Sequence, residues 1–445
     1  MNNINVHCQG ESHKAADKPC QDYSYSYSSD ELSIAIVCDG HGGERYFRSQ
    51  WGSKFATEVI VDVVKEFVRT TSKNMFRGIP FTAEGVVTGS EKKLSLIDKE
   101  MRQMFSSIIT RWEEKIRQHA ADTPVSEWEQ ENVPKKHVDE FLSRKSLEKH
   151  YGCTLMTYVQ TSTYWFAFHL GDGKCIAFHD DDKIWSEPIP WDDKCFLNKT
   201  TSICDSEAIN EFRYCYEGDG KFPVAVFLGS DGIDDTYGEM ENIANFYVEI
   251  MKILAKDGVD TASRQLKDDL PIISRIGSKD DVSVAVIFNL DKVKHNIGKY
   301  IQFQIDYMTR QAEEQKERID RQQEKKRSLK KQIVGWVSNK EKAEIELTYA
   351  NQELQKATDR LEVLSGKIDF LSKEYKNFTN HELKNRPDYS ETLEMAKQDI
   401  EEKAEMPETE GQPDIIQDET SSIRTIVVQE TDDTSANDGE PTYIA

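Results

Sequence analysis

The stretch Leu32-Ser33-Ile34-Ala35-Ile36-Val37-Cys38-Asp39-Gly40-His41-Gly42-Gly43 decides how the rest of the chain is read. Its first part is apolar and rich in β-branched residues, which predicts a buried strand; the Asp-Gly step then predicts a tight turn. A carboxylate is thereby set at a strand end. The glycines after it let a backbone carbonyl approach a cation closely, and His41 stands where it can exchange a proton with a substrate. Taken alone, an Asp-Gly step is also an ordinary hairpin signal.

The same local logic recurs three times. Asp172 lies in Leu170-Gly171-Asp172-Gly173 after the strand-like run Tyr164 to Leu170, and Asp231 in Leu228-Gly229-Ser230-Asp231-Gly232 after Val224 to Leu228. Asp280 and Asp281 precede the run Val282 to Phe288. Carboxylates at strand edges, with free carbonyls beside them, suit hard divalent cations such as Mg²⁺ or Mn²⁺, which prefer oxygen ligands. The bland alternative is four unrelated turns.

Between the early and late strands, apolar residues recur at three- and four-residue steps over Trp51 to Val68 and Leu94 to Ile116, predicting two long amphipathic helices. Strands, a helical pair and then more strands point to an α+β layered α-β-β-α sandwich rather than to repeating βαβ units. The stretches Phe76 to Ser90 and Ala120 to Lys136 read as surface loops.

The chain has 445 residues, 37% hydrophobic and 31% charged, with a formal net charge of −23. Such acidity argues against a general nucleic-acid binder, which needs clustered cations to displace counterions from phosphates. No apolar run is long enough to span a bilayer and the N-terminus has no signal-peptide pattern, so a cytoplasmic protein with no membrane role is expected. The eight cysteines show no zinc-type spacing.

Composition divides the chain into residues 1–290, 291–380 and 381–445. Beyond Asp291 Lys, Glu, Gln and Arg dominate, and one heptad register runs through Ile305, Ala312, Ile319, Ile333, Leu347, Leu354, Leu361 and Ile368, interrupted by Lys326 and Lys340. This predicts a helical coiled-coil arm that self-associates or binds another helix. One straight helix from Ile301 to Phe378 would extend about 117 Å. Gly335 followed by Ser338-Asn339-Lys340-Glu341, a capping-box pattern, predicts instead a break and a helical hairpin. The last segment reads as an acidic, mostly disordered tail, with eleven acidic residues against Arg424 over 404–445.

The chain resembles the metal-dependent protein phosphatases of the 2C type, the PPM family, from about residue 8 to 288. The resemblance is carried by Gln21-Asp22, Asp39-Gly40-His41-Gly42-Gly43, Gly152-Cys153-Thr154-Leu155, Leu170-Gly171-Asp172-Gly173, Gly229-Ser230-Asp231-Gly232-Ile233-Asp234-Asp235 and Asp280-Asp281-Val282-Ser283, in that order. It implies two stacked antiparallel sheets flanked by helix pairs. It also implies that Asp39 bridges two divalent metal ions, that the Gly40 carbonyl binds one of them, and that Asp231 and Asp280 complete the other's shell. Asp22 would act beside these ions, Asp172 at a third, weaker metal site, and His41 as general acid for the leaving alkoxide. The implied activity is hydrolysis of phosphoserine and phosphothreonine in proteins by a metal-activated water, opposite a partner kinase. The chain departs from the pattern in having no arginine before Arg45, so His13, Lys14, Lys18 or Arg45 would have to hold the substrate phosphate. That departure keeps a second reading open, a weakly active or inactive phosphatase-fold scaffold that binds signalling partners through its arm.

Overall fold

The structure, a computed structural model, describes residues 1–71, 74–84, 95–195, 199–334 and 340–401. Two antiparallel sheets lie face to face. The first has the order β1 (Asn2–Cys8), β11 (Val282–Phe288), β10 (Ala225–Gly229), β7 (Lys174–Phe178), β8 (Trp185–Ser186). The second runs β2 (Tyr23–Ser28), β3 (Leu32–Cys38), β5 (Leu155–Thr161), β6 (Trp165–Leu170), β9 (Arg213–Glu217), β4 (Thr82–Glu84). The helices in chain order are α1 (Glu11–Ala15), α2 (Ser49–Thr70), α3 (Leu96–Asp122), α4 (Glu127–Asn132), α5 (Lys135–Leu142), α6 (Asp231–Tyr237), α7 (Met240–Asp257), α8 (Val259–Ile276), α9 (Leu290–Val334), α10 (Lys340–Thr379) and α11 (Ser390–Glu401).

Strand β3 shows why the layers stack. Ile34, Ile36 and Cys38 enter the core beneath α2 and α3, whereas Ala35 and Val37 enter the core between the sheets, against Leu228, Ala285 and Ile287. A period of two with both faces apolar is what a strand buried on both sides requires. The first sheet packs its other face on α7 and α8 through Phe227, Val284, Tyr247, Leu254 and Leu266. The expected α-β-β-α sandwich is therefore present.

Behind the sandwich, α9 and α10 run antiparallel. A Cβ on Gly298 would lie 2.3 Å from Thr379, while Leu329 clusters with Ala343 and Ala350 at the far end. The expected heptad positions Ala312, Ile319, Leu354, Leu361 and Ile368 form the buried seam. The single straight helix is thus replaced by a hairpin, because its apolar stripe has a partner within the same chain. Lys326, an interruption in the heptad pattern, is buried and donates to the carbonyl of Asp399 near the end of α11, completing an orphan acceptor there.

Three parts of the sequence reading change. The stretches read as surface loops carry structure, since Phe76 is buried in the core beneath α2 and α3, Thr82–Glu84 is β4 and Glu127–Asn132 is α4. Residues 390–401, placed in the disordered tail, form α11, which packs Ala396 and Leu393 onto the hairpin, with Tyr389 just before it donating to Glu313 at 3.0 Å. The base of α9 also crosses the boundary drawn at residue 290. Val293, Ile297, Tyr300, Ile301 and Ile305 belong to the core of the first sheet, so that boundary follows composition and not packing. The break signal at 335–339 and the acidic residues 402–445 lie outside the described residues. No described helix is long and apolar enough to cross a membrane.

Candidate metal centre

Antiparallel pairing collects the carboxylates at one end of the sandwich. Cys38, the last residue of β3, pairs with Tyr23, the first of β2, which brings Asp39 and Asp22 to the same rung. In the other sheet Gly229 at the end of β10 pairs with Val284 on one side and Lys174 on the other. Asp231, Asp280 and Asp172 consequently leave the sheet at that same end. Ladder direction, and not proximity in sequence, does this work.

The turns are fixed from several sides. The Asp39 backbone exchanges hydrogen bonds with Thr154, its N–H reaching Oγ1 at 3.2 Å and its carbonyl accepting from the Thr154 N–H at 2.8 Å. His41 donates its backbone N–H to Gly152 at 3.2 Å, and Ser49 donates its hydroxyl to the His41 carbonyl at 3.0 Å. Asp22 is buried and accepts from Ser283 of β11, tying the two sheets together. Gly171 has φ +128° and a Cβ there would sit 2.5 Å from Thr154, so the turn that presents Asp172 needs a glycine.

Electrostatics tests whether divalent cations suit these residues. Burial, and then the fields of Asp231 and Asp22, hold the Asp39 carboxyl well above the usual carboxylate range. Burial, followed by the charge of Asp281, does the same for Asp22. Asp231 is pushed up to about 7, by burial first and then by Asp172 and Asp280 against the opposing hydrogen bond to Asp39. Burial also raises Asp172. Carboxylates this close share their space only with a proton or a cation between them. An all-oxygen set of that kind fits Mg²⁺ or Mn²⁺.

Asp280 stands at the edge of this group and belongs to a second one. His13, Asp280 and Asp281 each offer a ligand atom within 4.8 Å of the others. His13 Nδ1 is 3.0 Å from Asp281 and its Nε2 is 3.7 Å from Asp280. Asp281 further accepts from the N–H groups of Gly10 at 2.6 Å and Gln21 at 2.5 Å. Those bonds hold Asp281 below the usual range in spite of its burial, and the bond to Asp281 raises His13. Asp281 is therefore the anchor that fixes the N-terminal segment against β11.

Of the cations considered for substrate phosphate, Lys18 reaches the site, donating to the Gly42 carbonyl at 3.1 Å. His13 is engaged as above, Lys14 pairs with Glu11 at 3.5 Å and Arg45 with Glu140 at 3.4 Å. The ring of His41 stands edge-on to Tyr46 with centroids 4.7 Å apart. Burial lowers its pKa to about 4, so the ring is neutral at pH 7.

Sequence reasoning gave no role to Arg213. Its guanidinium is buried and donates to the carbonyl of Gly171 and, at 3.0 Å, to that of Pro190, bracing the Asp172 turn. A lone arginine in a strand carries no signal of this. Its partners lie in turns distant along the chain.

Residues 9–271 match the family model described as protein phosphatase 2C. A mutant bacterial serine phosphatase is similar at 15% identity, over 64% of this chain and 97% of its own, with a TM-score of 0.37. The catalytic domain of the serine/threonine protein phosphatase PstP, solved in complex with two manganese ions, is 14% identical over 64% of this chain and 96% of its own, TM-score 0.35. A serine/threonine phosphatase of S. agalactiae is 13% identical over 64% and 98%, TM-score 0.38. No curated protein matches the chain. The family match spans more than half of the sequence and contains the strand ends that carry Asp22, Asp39, Asp172 and Asp231, and on it the chain is a protein phosphatase belonging to the protein phosphatase 2C family.

Proposed function

We propose that this chain hydrolyses phosphoserine and phosphothreonine in proteins at a binuclear Mg²⁺ or Mn²⁺ centre, with a third, weaker site at Asp172. The observation that carries the reading is the convergence of buried Asp22 with half-buried Asp39 and Asp231 in one cluster whose carboxyl groups are all held above their ordinary range. Asp39, the Gly40 carbonyl, Asp231 and Asp280 would hold the cations, and Asp22 would orient that shell through Ser283. Bound divalent ions supply charge neutralisation for the phosphoryl oxygens and lower the pKa of water for in-line attack. Lys18, beside Gly42, attracts the phosphate. His41 serves the leaving oxygen; its lowered pKa makes the imidazolium a strong acid present at low occupancy.

The division into a phosphatase unit over 1–290, a helical arm over 291–380 and an acidic tail over 381–445 is proposed on composition, with the base of the arm, Val293 to Ile305, packed into the phosphatase unit. The arm is assigned to partner binding or self-association, the counterpart enzyme is a kinase, and the compartment is the cytoplasm. One observation favours the scaffold alternative: His13, Lys14 and Arg45 are each committed to a carboxylate. The deciding experiment is turnover of an aryl phosphate and of a phosphothreonine peptide by the purified chain, with and without Mn²⁺ or Mg²⁺. Metal-dependent release of phosphate from both is expected. Turnover that is metal-independent and abolished by thiol alkylation would overturn the mechanism, and no turnover with metal would leave the scaffold.

A further inference from the structure

Beside the carboxylate cluster stands an aromatic side chain that no core explains. Trp191 is 42% exposed. Its ring lies over Lys174, with Nζ 3.4 Å from the centroid. Lys174 opens β7, two residues past Asp172 and paired with Gly229, which itself lies two residues before Asp231. The indole therefore sits at the end of the sandwich where the carboxylates converge.

The backbone on both sides of Trp191 is held. Pro190 gives its carbonyl to buried Arg213 at 3.0 Å. The Asp192 carbonyl accepts from the Cys195 N–H at 2.9 Å, and its buried carboxylate accepts from the Lys194 N–H at 3.0 Å and from Thr201 at 3.4 Å. An exposed indole with fixed neighbours loses little freedom when a ligand covers it, which is the property of a recognition contact and not of a surface side chain at rest. Arg213 also grips Gly171, so the same guanidinium sets the position of the indole and of the Asp172 turn.

The geometry points to Trp191 as a docking platform for an apolar side chain of the substrate, flanking the phosphorylated residue. One face of the ring already meets the Lys174 ammonium, which Asp234 holds at 3.6 Å. That cation draws on the quadrupole of the ring, so the outer face offers apolar area rather than attraction for a second positive charge. Exposed Asp193, two residues along the chain, disfavours an acidic substrate residue at the same place. The substrate class is thus a phosphopeptide with a large aliphatic or aromatic residue near the phosphate. This assignment rests on the phosphatase reading.

The test is a series of phosphothreonine peptides with an otherwise Gly/Ala background, in which one leucine is moved through the positions within a few residues of the phosphate. With Mn²⁺ present, wild type should show one position with kcat/KM raised about tenfold through KM, a gain that partial burial of one leucine supplies. Trp191→Ala should flatten the profile and Trp191→Phe should keep most of it. The readout is a ratio between peptides on one enzyme preparation, so partial misfolding of a variant does not mimic the result. A flat wild-type profile, or a Trp191→Ala profile equal to wild type, overturns the assignment. The series is repeated as binding with non-hydrolysable phosphonate analogues. Binding that discriminates without turnover supports the platform and defeats the phosphatase reading, turnover with a flat profile does the reverse, and neither binding nor turnover defeats both.

Discussion

The guanidinium of Arg48 and the carboxylate of Glu129 form a two-point ion pair, Nε to Oε1 at 2.6 Å and Nη2 to Oε2 at 2.8 Å, across 81 residues of sequence. Arg48 directly precedes α2 and follows the loop that carries His41. Glu129 is the third residue of α4, where it also closes a capping box with Ser126. The pair is buried, and Arg48 spends its remaining donors on the carbonyls of Thr123 and Pro124 at 2.9 and 3.0 Å and on the Tyr151 hydroxyl at 3.3 Å. A region with the composition of a surface loop is thereby fastened to the start of the helix behind the site.

Removing one partner leaves a buried charge without its counterion, which costs about 3–5 kcal/mol. Arg48→Met is expected to lower the melting temperature sharply at neutral pH, and Arg48→Lys to recover only part, because an ammonium cannot reproduce the planar fork. The acid dependence has a defined sign. Burial alone would raise Glu129, but the Arg48 bond lowers it below its ordinary 4.5. Its contribution is thus present above that unfolded value and is lost as pH falls through the lower folded one. Thermal melts from pH 7 to 3 should show wild type and Arg48→Met converging at the acid end. Parallel curves would count against the pair.

For the carboxylate cluster, Asp231→Asn replaces a charged oxygen ligand with a neutral one of similar size. Activity on aryl phosphate should fall by at least a hundredfold, while circular dichroism stays as in wild type. Calorimetric titration with Mn²⁺ should lose its tightest binding event. Without metal the variant should melt higher than wild type near pH 8, because a half-buried carboxyl pushed up to about 7 destabilises the fold when ionised. Wild-type turnover under saturating metal would remove Asp231 from the ligand set.

The role of His41 separates by leaving group. Threonine alkoxide needs a proton as it leaves and an aryl oxide needs little, so His41→Ala should cost far more on phosphothreonine peptide than on aryl phosphate. Parallel rate measurements on the two substrates check this. Equal losses would mean that the imidazole shapes the loop through its packing on Tyr46 and transfers no proton.

Much of this arrangement was legible in the sequence because strands buried on both faces leave continuous apolar runs. Leu32–Cys38 and Val282–Phe288 are strands with the expected limits, and the turn chemistry at their ends marked Asp39 and Asp280. What was not legible depends on partners far along the chain. Arg48, Arg213 and Asp281 look like ordinary charged residues until folding buries them, and α4 is only six residues long with no apolar stripe of its own. The stripe of α11, Leu393, Ala396 and Ile400, is sparse enough to be lost among acidic neighbours. Hairpin and straight arm carry the same heptads, so the register alone does not choose between them.

The hairpin sets the last expectation, which concerns where the chain can be cut. Residues 1–290 end on the last strand of the first sheet, but they omit Val293, Ile297, Tyr300, Ile301 and Ile305, all buried against that sheet and its helices. Tyr300 also donates to the carbonyl of His179 at 3.1 Å, beyond the end of β7. Losing one buried aliphatic or aromatic side chain costs about 2–5 kcal/mol, and a domain has only about 5–15 kcal/mol of stability in total. A protein ending at residue 290 is therefore expected to be insoluble or unfolded whatever the role of the arm. On the α10 side, Leu371 and Tyr375 join the same core, and Glu374 meets buried Lys252 of α7 at 2.5 Å. Among the described residues of the distal half, Leu329, Ala343 and Ala350 cluster with one another, and Lys326 and Leu354 meet the segment around α11 and not the sheet. Replacing residues 320–356 by a short Gly/Ser linker keeps both bases and removes the tip. This variant should melt within a few degrees of wild type and retain turnover of aryl phosphate, while losing any partner that binds the arm. Circular dichroism melts and the aryl phosphate assay on the two truncations decide the point. A folded, active 1–290 fragment would show that the base of α9 is dispensable, and an unfolded tip deletion would show that the hairpin stabilises the sandwich along its whole length.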